Sequence, residues 1–274
     1  MPNQRIIAVW GSPHSGKTVF ATKFAECLYR ESRGTVIVLY TDILTPSLSV
    51  LFPNRKSSEL YSVGTVLSKT DIYANDVVSN LVTVKERMNL GYLGYRNGEN
   101  RFSFPNYSDA KVENLLTVLC ELADYVVVDC MSNYENSILS ATAMKQAGTM
   151  LKICTPDLAC MSFYQSQIPV LMSQGIIPER QLGVMNIVDA DFGMLSGDVS
   201  GYLGRMITTV PYSPVLKEQY GRDNGSRRRW KVCTPENRFF VAKTLSDRYE
   251  NIPATGGAGV PCSGICPQAG GQYP

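Results

Sequence analysis

Along this chain, short apolar runs rich in β-branched residues alternate with stretches of helical period. Runs at Arg5–Trp10, Thr35–Tyr40, Leu90–Tyr95, Tyr125–Asp129, Met150–Cys154, Leu182–Val188 and Arg205–Val210 predict strands. Helical spacing predicts helices over Lys17–Arg30, Ser108–Ala123, Glu135–Ala147, Asp157–Gln174 and Pro235–Tyr249. The runs at Thr35 and Tyr125 are nearly continuous in apolar residues, the pattern of strands covered on both faces. Strands alternating with helices imply an α/β fold, a mostly parallel twisted sheet with right-handed crossovers and helices on both faces. No repeat or linker interrupts the pattern before residue 250, so residues 1–250 are expected to form one domain. Residues 251–274 are dominated by Gly and Pro without periodicity and predict a flexible tail.

Composition narrows the class without naming a function. A chain of 274 residues that is 44% hydrophobic can bury a sizeable core. Its net charge of +2 gives no global electrostatic case for nucleic acid or an anionic membrane. Of eight scattered cysteines, Cys27, Cys120, Cys154 and Cys160 sit in apolar patterned segments and read as buried small hydrophobes. With no signal peptide, a reduced cytoplasmic protein is the expectation. No apolar run approaches the roughly eighteen residues of a membrane span. Cys262-x-x-x-Cys266 would be half of a metal or redox site, but no second Cys/His pair lies near it, so no metal is expected there.

The chemistry concentrates where the first predicted strand meets the first predicted helix. Gly11-Ser12-Pro13-His14-Ser15-Gly16-Lys17-Thr18 reads G-x-x-x-x-G-K-[ST]. A strand feeding a glycine loop feeding a helix aims several backbone N–H groups at one spot, and the helix N-terminus adds partial positive charge. The loop and Val19, which follows it, thus predict a phosphate cradle and a P-loop nucleotide-binding fold. Lys17 would neutralise the outer phosphates and the Thr18 hydroxyl would ligate Mg²⁺. The four fixed positions recur by chance in roughly 1% of chains this long, and the strand before and helix after lower that further. His14 either adds imidazolium charge near the phosphates or is an exposed loop residue that binds through its backbone.

Other candidates stand at strand ends. Asp129, closing Tyr125-Val126-Val127-Val128, is placed to hold a Mg²⁺ shell, or else caps the next loop. Asp42, just past Tyr40, orients an attacking water or touches the metal shell, or else forms a turn before Ile43-Leu44-Thr45-Pro46. Asn186 either reads a base edge or is a turn residue, and Pro211-Tyr212 would flank a flat base. Arg227-Arg228-Arg229 is the one basic cluster of note, read either as a phosphate or acidic-partner contact or as a solvated loop.

Taken in order, the phosphate loop, Tyr40-Thr41-Asp42-Ile43-Leu44-Thr45-Pro46-Ser47-Leu48, Val126-Val127-Val128-Asp129, Thr155-Pro156-Asp157, Val184-Met185-Asn186 and Val210-Pro211-Tyr212-Ser213-Pro214 resemble the ParA/MinD family of P-loop ATPases over about residues 4–250. The resemblance implies ATP and Mg²⁺ as cofactors and an ATP-dependent homodimer. It also implies a slow ATPase whose hydrolysis switches partner or surface binding. It gives Lys17 and Thr18 phosphate and Mg²⁺, Asp42 the water-positioning role, Asp129 the metal role, and Asn186 and Pro211 the adenine-reading positions. The branch it most resembles is the divergent CpaE/TadZ-like one, linked to assembly of a pilus or secretion system, which would make the partners components of such a machine. A non-hydrolysing scaffold is the alternative. A DNA-partitioning ATPase is a further one, with DNA contact through Arg227–Arg229 not favoured. A MinD-like membrane anchor, which needs a C-terminal amphipathic helix, is not expected. The chain departs from the family pattern in three places. Ser12 stands where a second lysine reaches the partner subunit's ATP. Tyr40 stands where an acidic residue is frequent. Cys130-Met131-Ser132-Asn133 replaces Thr-Pro-Pro-Gly after Asp129.

Overall fold

The computed structural model describes residues 2–52, 55, 60–85, 87–176, 180–188 and 206–214. In chain order these form β1 (Asn3–Gly11), α1 (Lys17–Ser32), β2 (Val36–Tyr40), α2 (Leu48–Leu51), α3 (Val63–Leu67), α4 (Ala74–Val78), β3 (Val82–Val84), β4 (Arg87–Leu93), α5 (Asp109–Leu122), β5 (Tyr125–Asp129), α6 (Ile138–Gln146), β6 (Ala147–Cys154), α7 (Leu158–Ser173), β7 (Gln181–Val188) and β8 (Met206–Pro211). A 3₁₀ turn spans Tyr134–Asn136.

The eight strands make one sheet in the order β3-β4-β2-β5-β1-β6-β7-β8. Every pairing is parallel except β3 with β4. Period-two alternation divides the strand residues between two cores. Ile6, Ala8, Trp10, Ile37, Leu39, Val126, Val128, Met150 and Cys154 face one side, where residues of α3 to α7 cover them. Ile7, Val9, Val36, Val38, Tyr40, Val127, Leu151 and Ile153 face the other, against Phe20, Phe24 and Leu28 of α1 and Leu48 and Leu51 of α2. β2 and β5 are therefore apolar at successive positions because both of their faces are covered.

β1 lies inside the sheet between β5 and β6. The chain leaves β1 toward β2 on one side and later builds β6 to β8 on the other. Such a reversal opens a crevice beyond the C-terminal strand ends, the usual ligand position in open α/β sheets. The strand tips around it are tied together: Thr41 donates through N and Oγ1 to the Asp129 carbonyl at 3.1 and 2.8 Å. Ser140 Oγ pairs with Thr41 Oγ1 at 2.6 Å and accepts from Met131 N at 3.1 Å.

The sequence reading differs from the structure in identifiable places. The helix expected over Glu135–Ala147 is shorter: Ser137 caps α6 by accepting from Ser140 N at 3.2 Å, and Ala147 already begins β6. The strand expected at Leu90–Tyr95 begins earlier, at Arg87, and ends at Leu93. β3, the antiparallel edge strand, and the short helices α2, α3 and α4 had no counterpart in the apolar pattern. The helix expected at Pro235–Tyr249, the start of the strand at Arg205, the Arg227–Arg229 cluster, Cys262, Cys266 and the tail from residue 251 lie outside the described residues. Cys120, Cys130, Cys154 and Cys160 are buried free thiols. Cys27 is buried as expected but is disulfide-bonded. No helix among the described residues is long and apolar enough to cross a membrane.

Candidate phosphate-binding site

The loop from Gly11 to Lys17 is held from beneath. A Cβ on Gly11 would lie 2.0 Å from the Ile153 carbonyl oxygen, so only glycine lets β1 end this close to β6. The Ser12 carbonyl accepts from Ser15 Oγ at 2.8 Å and from Lys17 Nζ at 3.2 Å. His14 and Gly16 take left-handed backbone angles, φ 60° and 77°. Gly16 is the N-cap of α1 and no side chain caps the helix. The first helical bond runs from Phe20 N to the Gly16 carbonyl at 2.9 Å. The N–H groups of the first turn thus remain available to an anion, where the helix dipole favours one.

Two chemistries meet at the rim. Thr18 Oγ1 donates to Asp129 Oδ2 at 2.7 Å. Asp129 Oδ1 is buried with no hydrogen-bond partner among the described residues. Burial pushes the Asp129 carboxyl up to about 6, against the Thr18 hydrogen bond and the Lys17 charge, with Asp42 adding to the rise. Burial also lowers the Lys17 ammonium, opposed by Asp129 and then Asp42. Lys17 Nζ donates to Ser132 Oγ at 2.7 Å. An orphaned carboxylate oxygen beside a threonine hydroxyl is a donor set that suits a hard divalent cation. The uncapped helix start and Lys17 suit the phosphates it would accompany.

These groups open on a cavity of about 850 Å³, within the size range of small-molecule sites. Pro13, His14, Gly16, Lys17, Thr18, Val19, Asp42, Asp129, Asn186 and Pro211 all line it. Gly11, Ser12 and Ser15 do not; they are buried and form the loop's floor. Ser12 is 3% exposed, and its buried hydroxyl has no hydrogen-bond partner among the described residues.

Two sequence candidates sit differently from their functional readings. Asp42 Oδ1 accepts from Leu44 N at 2.8 Å and Thr45 N at 3.0 Å, and Oδ2 from Thr45 Oγ1 at 2.6 Å. That is the turn geometry, on a residue that still lines the cavity. Asn186 is buried and its Nδ2 donates to the Ser15 carbonyl at 2.7 Å, bracing the loop. Pro211 and Tyr212 are exposed at the cavity edge. Sequence reasoning assigned no role to Ser132, Thr41 or Ser140. Single hydroxyls in unpatterned segments carry no spacing signal, and proximity to Asp129 was the one available hint.

No protein-family profile matches the chain and no curated protein is recognisably similar in sequence. Solved structures are similar in fold. A plasmid partition protein from Borrelia burgdorferi B31 bound to AMPPNP superposes with a TM-score of 0.69 at 14% identity, covering 91% of this chain and all of that one. The fold is that of the ParA and MinD ATPases. A ParA family ATPase from Chlorobium tepidum TLS gives 0.67 at 13% identity, over 79% of this chain and 89% of its own. The septum site-determining protein MinD from Pyrococcus horikoshii OT3, complexed with Mg-ADP, gives 0.65 at 15% identity, over 91% and 98%. At such identities the likeness is one of architecture, and residue roles rest on the geometry above.

Proposed function

We propose that this protein binds ATP with Mg²⁺ in the cavity above the Gly11–Thr18 loop and hydrolyses it slowly, as a nucleotide-gated switch. The observation that carries the reading is the meeting, in one cavity, of an uncapped helix start, Lys17 and the Thr18–Asp129 pair with its orphaned oxygen. Backbone N–H groups from Gly16 to Val19 would cradle phosphate, and Lys17 would take up negative charge developing on it. Thr18 and Asp129 would hold the cation, whose contribution is Lewis-acid charge beside the phosphates. Asn186 and Pro211 would border the base. Asp42 would orient the attacking water after releasing Leu44 and Thr45, a rearrangement of the kind that makes a switch. The proteins of similar fold include a plasmid partition protein bound to AMPPNP and a septum site-determining protein complexed with Mg-ADP, which supports the ligand.

On this reading the active form is an ATP-dependent homodimer in the cytoplasm that positions or assembles a larger machine, a pilus or secretion system. A second reading is a nucleotide-binding scaffold that does not hydrolyse. Two observations favour it: both Asp42 oxygens are engaged in a turn, and Ser12 is buried away from the cavity. Phosphate release with ATP and Mg²⁺, measured with oligomeric state on the same preparation, separates the two. Turnover accompanied by an ATP-dependent size shift supports the switch. Tight ATP binding and a size shift without turnover support the scaffold, and a size indifferent to nucleotide removes gating from both.

A further inference from the structure

Two thiols meet beneath the phosphate loop, in the core that α3 to α7 cover. Cys154 closes β6, and Cys160 lies in the first turn of α7. Thr155-Pro156-Asp157-Leu158-Ala159 is all that separates them in the chain. Both are buried, and neither is disulfide-bonded. One backbone residue touches both sulfurs: Thr155 N donates to Cys160 Sγ at 3.4 Å, and Cys154 Sγ stands 3.5 Å from the Thr155 carbonyl oxygen. Asp157 caps α7 by accepting from Cys160 N at 2.8 Å, which fixes the turn. A hydrogen bond between the two thiols draws Cys160 down to about 7, against burial, and pushes Cys154 up. The start of a helix favours a thiolate as well. The pair thus holds one thiol poised to ionise beside one that keeps its proton, the arrangement that dithiol chemistry uses.

Their neighbours connect them to the loop. The Ile153 carbonyl, one residue before Cys154, is the backbone atom that Gly11 packs against, and it accepts from the Tyr164 hydroxyl of α7 at 2.9 Å. On the other flank Cys154 pairs with Met185 of β7, and the next residue, Asn186, braces the Ser15 carbonyl at 2.7 Å. The dithiol therefore stands between two supports of the Gly11–Thr18 loop.

We propose that Cys154 and Cys160 form a reversible disulfide that acts as a redox switch on the nucleotide site. The coupling rests on the nucleotide-binding reading above; the bridge itself does not. The oxidant is hydrogen peroxide, a molecule little larger than water. The Cys160 thiolate attacks one peroxide oxygen, so an S–O bond forms as the O–O bond breaks. The departing hydroxide takes up the proton that Cys160 released and leaves as water. The Cys154 sulfur then attacks the Cys160 sulfur, so the S–S bond forms as the S–O bond breaks, and the second hydroxide leaves as water with the Cys154 proton. Two thiols lose two electrons to one peroxide, which yields two waters. A dithiol reductant reverses the bridge by exchange. A covalent bond draws the sulfurs closer than a hydrogen bond allows, so the tip of β6 and the start of α7 must move together. A close-packed interior transmits such a movement, and Gly11 has no room to absorb it against the Ile153 carbonyl. Oxidation thus deforms the loop and weakens nucleotide binding.

The test treats the full chain with hydrogen peroxide, denatures it in an alkylating reagent and maps its peptides by mass. The expected result is a peptide carrying both Cys154 and Cys160, lighter by two hydrogens and alkylated at neither. Dithiothreitol before alkylation should remove that species. ATP affinity with Mg²⁺ is measured by calorimetry on reduced, oxidised and re-reduced protein. Oxidation is expected to weaken it about tenfold, within the usual range of coupling between two sites, and re-reduction to restore it. Cys154→Ala and Cys160→Ala, small apolar replacements for buried thiols, should each bind ATP equally before and after peroxide. Alkylation of both cysteines after peroxide overturns the bridge, and mapping on the wild-type chain decides this whether or not the variants fold. A mapped bridge with unchanged ATP affinity, or an equal loss in the alanine variants, overturns the switch while leaving nucleotide binding intact. Failure of the reduced protein to bind ATP overturns the nucleotide reading and the coupling with it, and the mapped peptide still decides the bridge.

Discussion

Thr18 Oγ1 and Asp129 Oδ2 are 2.7 Å apart, joining the first turn of α1 to the tip of β5 across the cavity rim. The hydrogen bond satisfies one carboxylate oxygen and leaves the other buried without a partner. Burial accordingly pushes the folded carboxyl up to about 6, above its ordinary value of 3.8. The folded state then binds more protons than the unfolded one between those values, so this residue's contribution to stability falls as pH rises. In ligand-free protein with chelator, wild type should lose about 2 kcal/mol relative to Asp129→Asn between pH 4 and pH 7. Urea denaturation across that range measures it, and parallel pH profiles for the two proteins would refute the assignment of cause.

The close approach of β1 to β6 makes a second, independent prediction. Gly11→Ala places a methyl group 2.0 Å from the Ile153 carbonyl oxygen, a backbone atom in the middle of the sheet. Both strands must shift, and a cost of about 3 kcal/mol or more is expected, at the upper end of overpacking. Gly98→Ala is the control, because Gly98 has φ +85° with open space around its missing Cβ. It should cost only about 1 kcal/mol, the strain of a left-handed alanine. Comparable denaturation midpoints for the two variants would contradict the contact.

How much of this was legible beforehand varies with the physical signal. The central strands were readable because β2 and β5 are covered on both faces and so nearly every position is apolar. β3 was not, since three residues at a sheet edge cannot establish an alternation. α3 and α4, five residues each, are too short for a helical period to emerge. In the site, Lys17, Thr18 and Asp129 come together as their spacing and strand-end position predicted. Asp42 and Asn186 reach the cavity too, but Asp42 is held by Leu44 and Thr45 in a local turn, an alternative that Asx residues always carry, and Asn186 braces the Ser15 carbonyl 171 residues away, a contact that only the folded sheet creates. Ser132 was out of reach because its partner Lys17 lies 115 residues away, and only the folded sheet brings them together.

Asp42 decides between the two proposed functions. Asp42→Ala removes three hydrogen bonds from a partly exposed turn, and the expected stability loss is about 1 kcal/mol. If Asp42 positions water, phosphate release should fall by about a hundredfold, a typical scale for losing one such group. ATP affinity, which Asp42 does not carry, should stay within a few-fold. A variant that turns over ATP as fast as wild type would assign Asp42 to the turn alone.

The last prediction concerns the wall of the same cavity, where α1 carries a buried ionic triad. Glu26 accepts from Lys23 at 3.2 Å and from Arg87 of β4 at 2.7 Å. The Lys23 and Glu26 side chains are 7% and 4% exposed, while Arg87 retains 21%. Burial lowers the Lys23 ammonium below its ordinary value, with Glu26 opposing. Removing the shared anion therefore takes an ion-pair partner from two cations at once, at a site with little solvent. Glu26→Ala should destabilise by about 3 kcal/mol or more, the scale for breaking a buried pair from one side. Arg87→Ala should cost less, because the Lys23–Glu26 pair survives and the lost partner was the more hydrated one. In Glu26→Ala the Lys23 ammonium falls further, so the variant should regain part of its stability above neutral pH as Lys23 deprotonates in the folded state. The sign follows because a depressed lysine favours the folded protein once it is neutral, through the window below the unfolded value of about 10.4. Chemical denaturation of the two variants at pH 6 and pH 9 checks both the order and the pH trend. A Glu26→Ala deficit no larger than that of Arg87→Ala would mean that water reaches the triad and screens it.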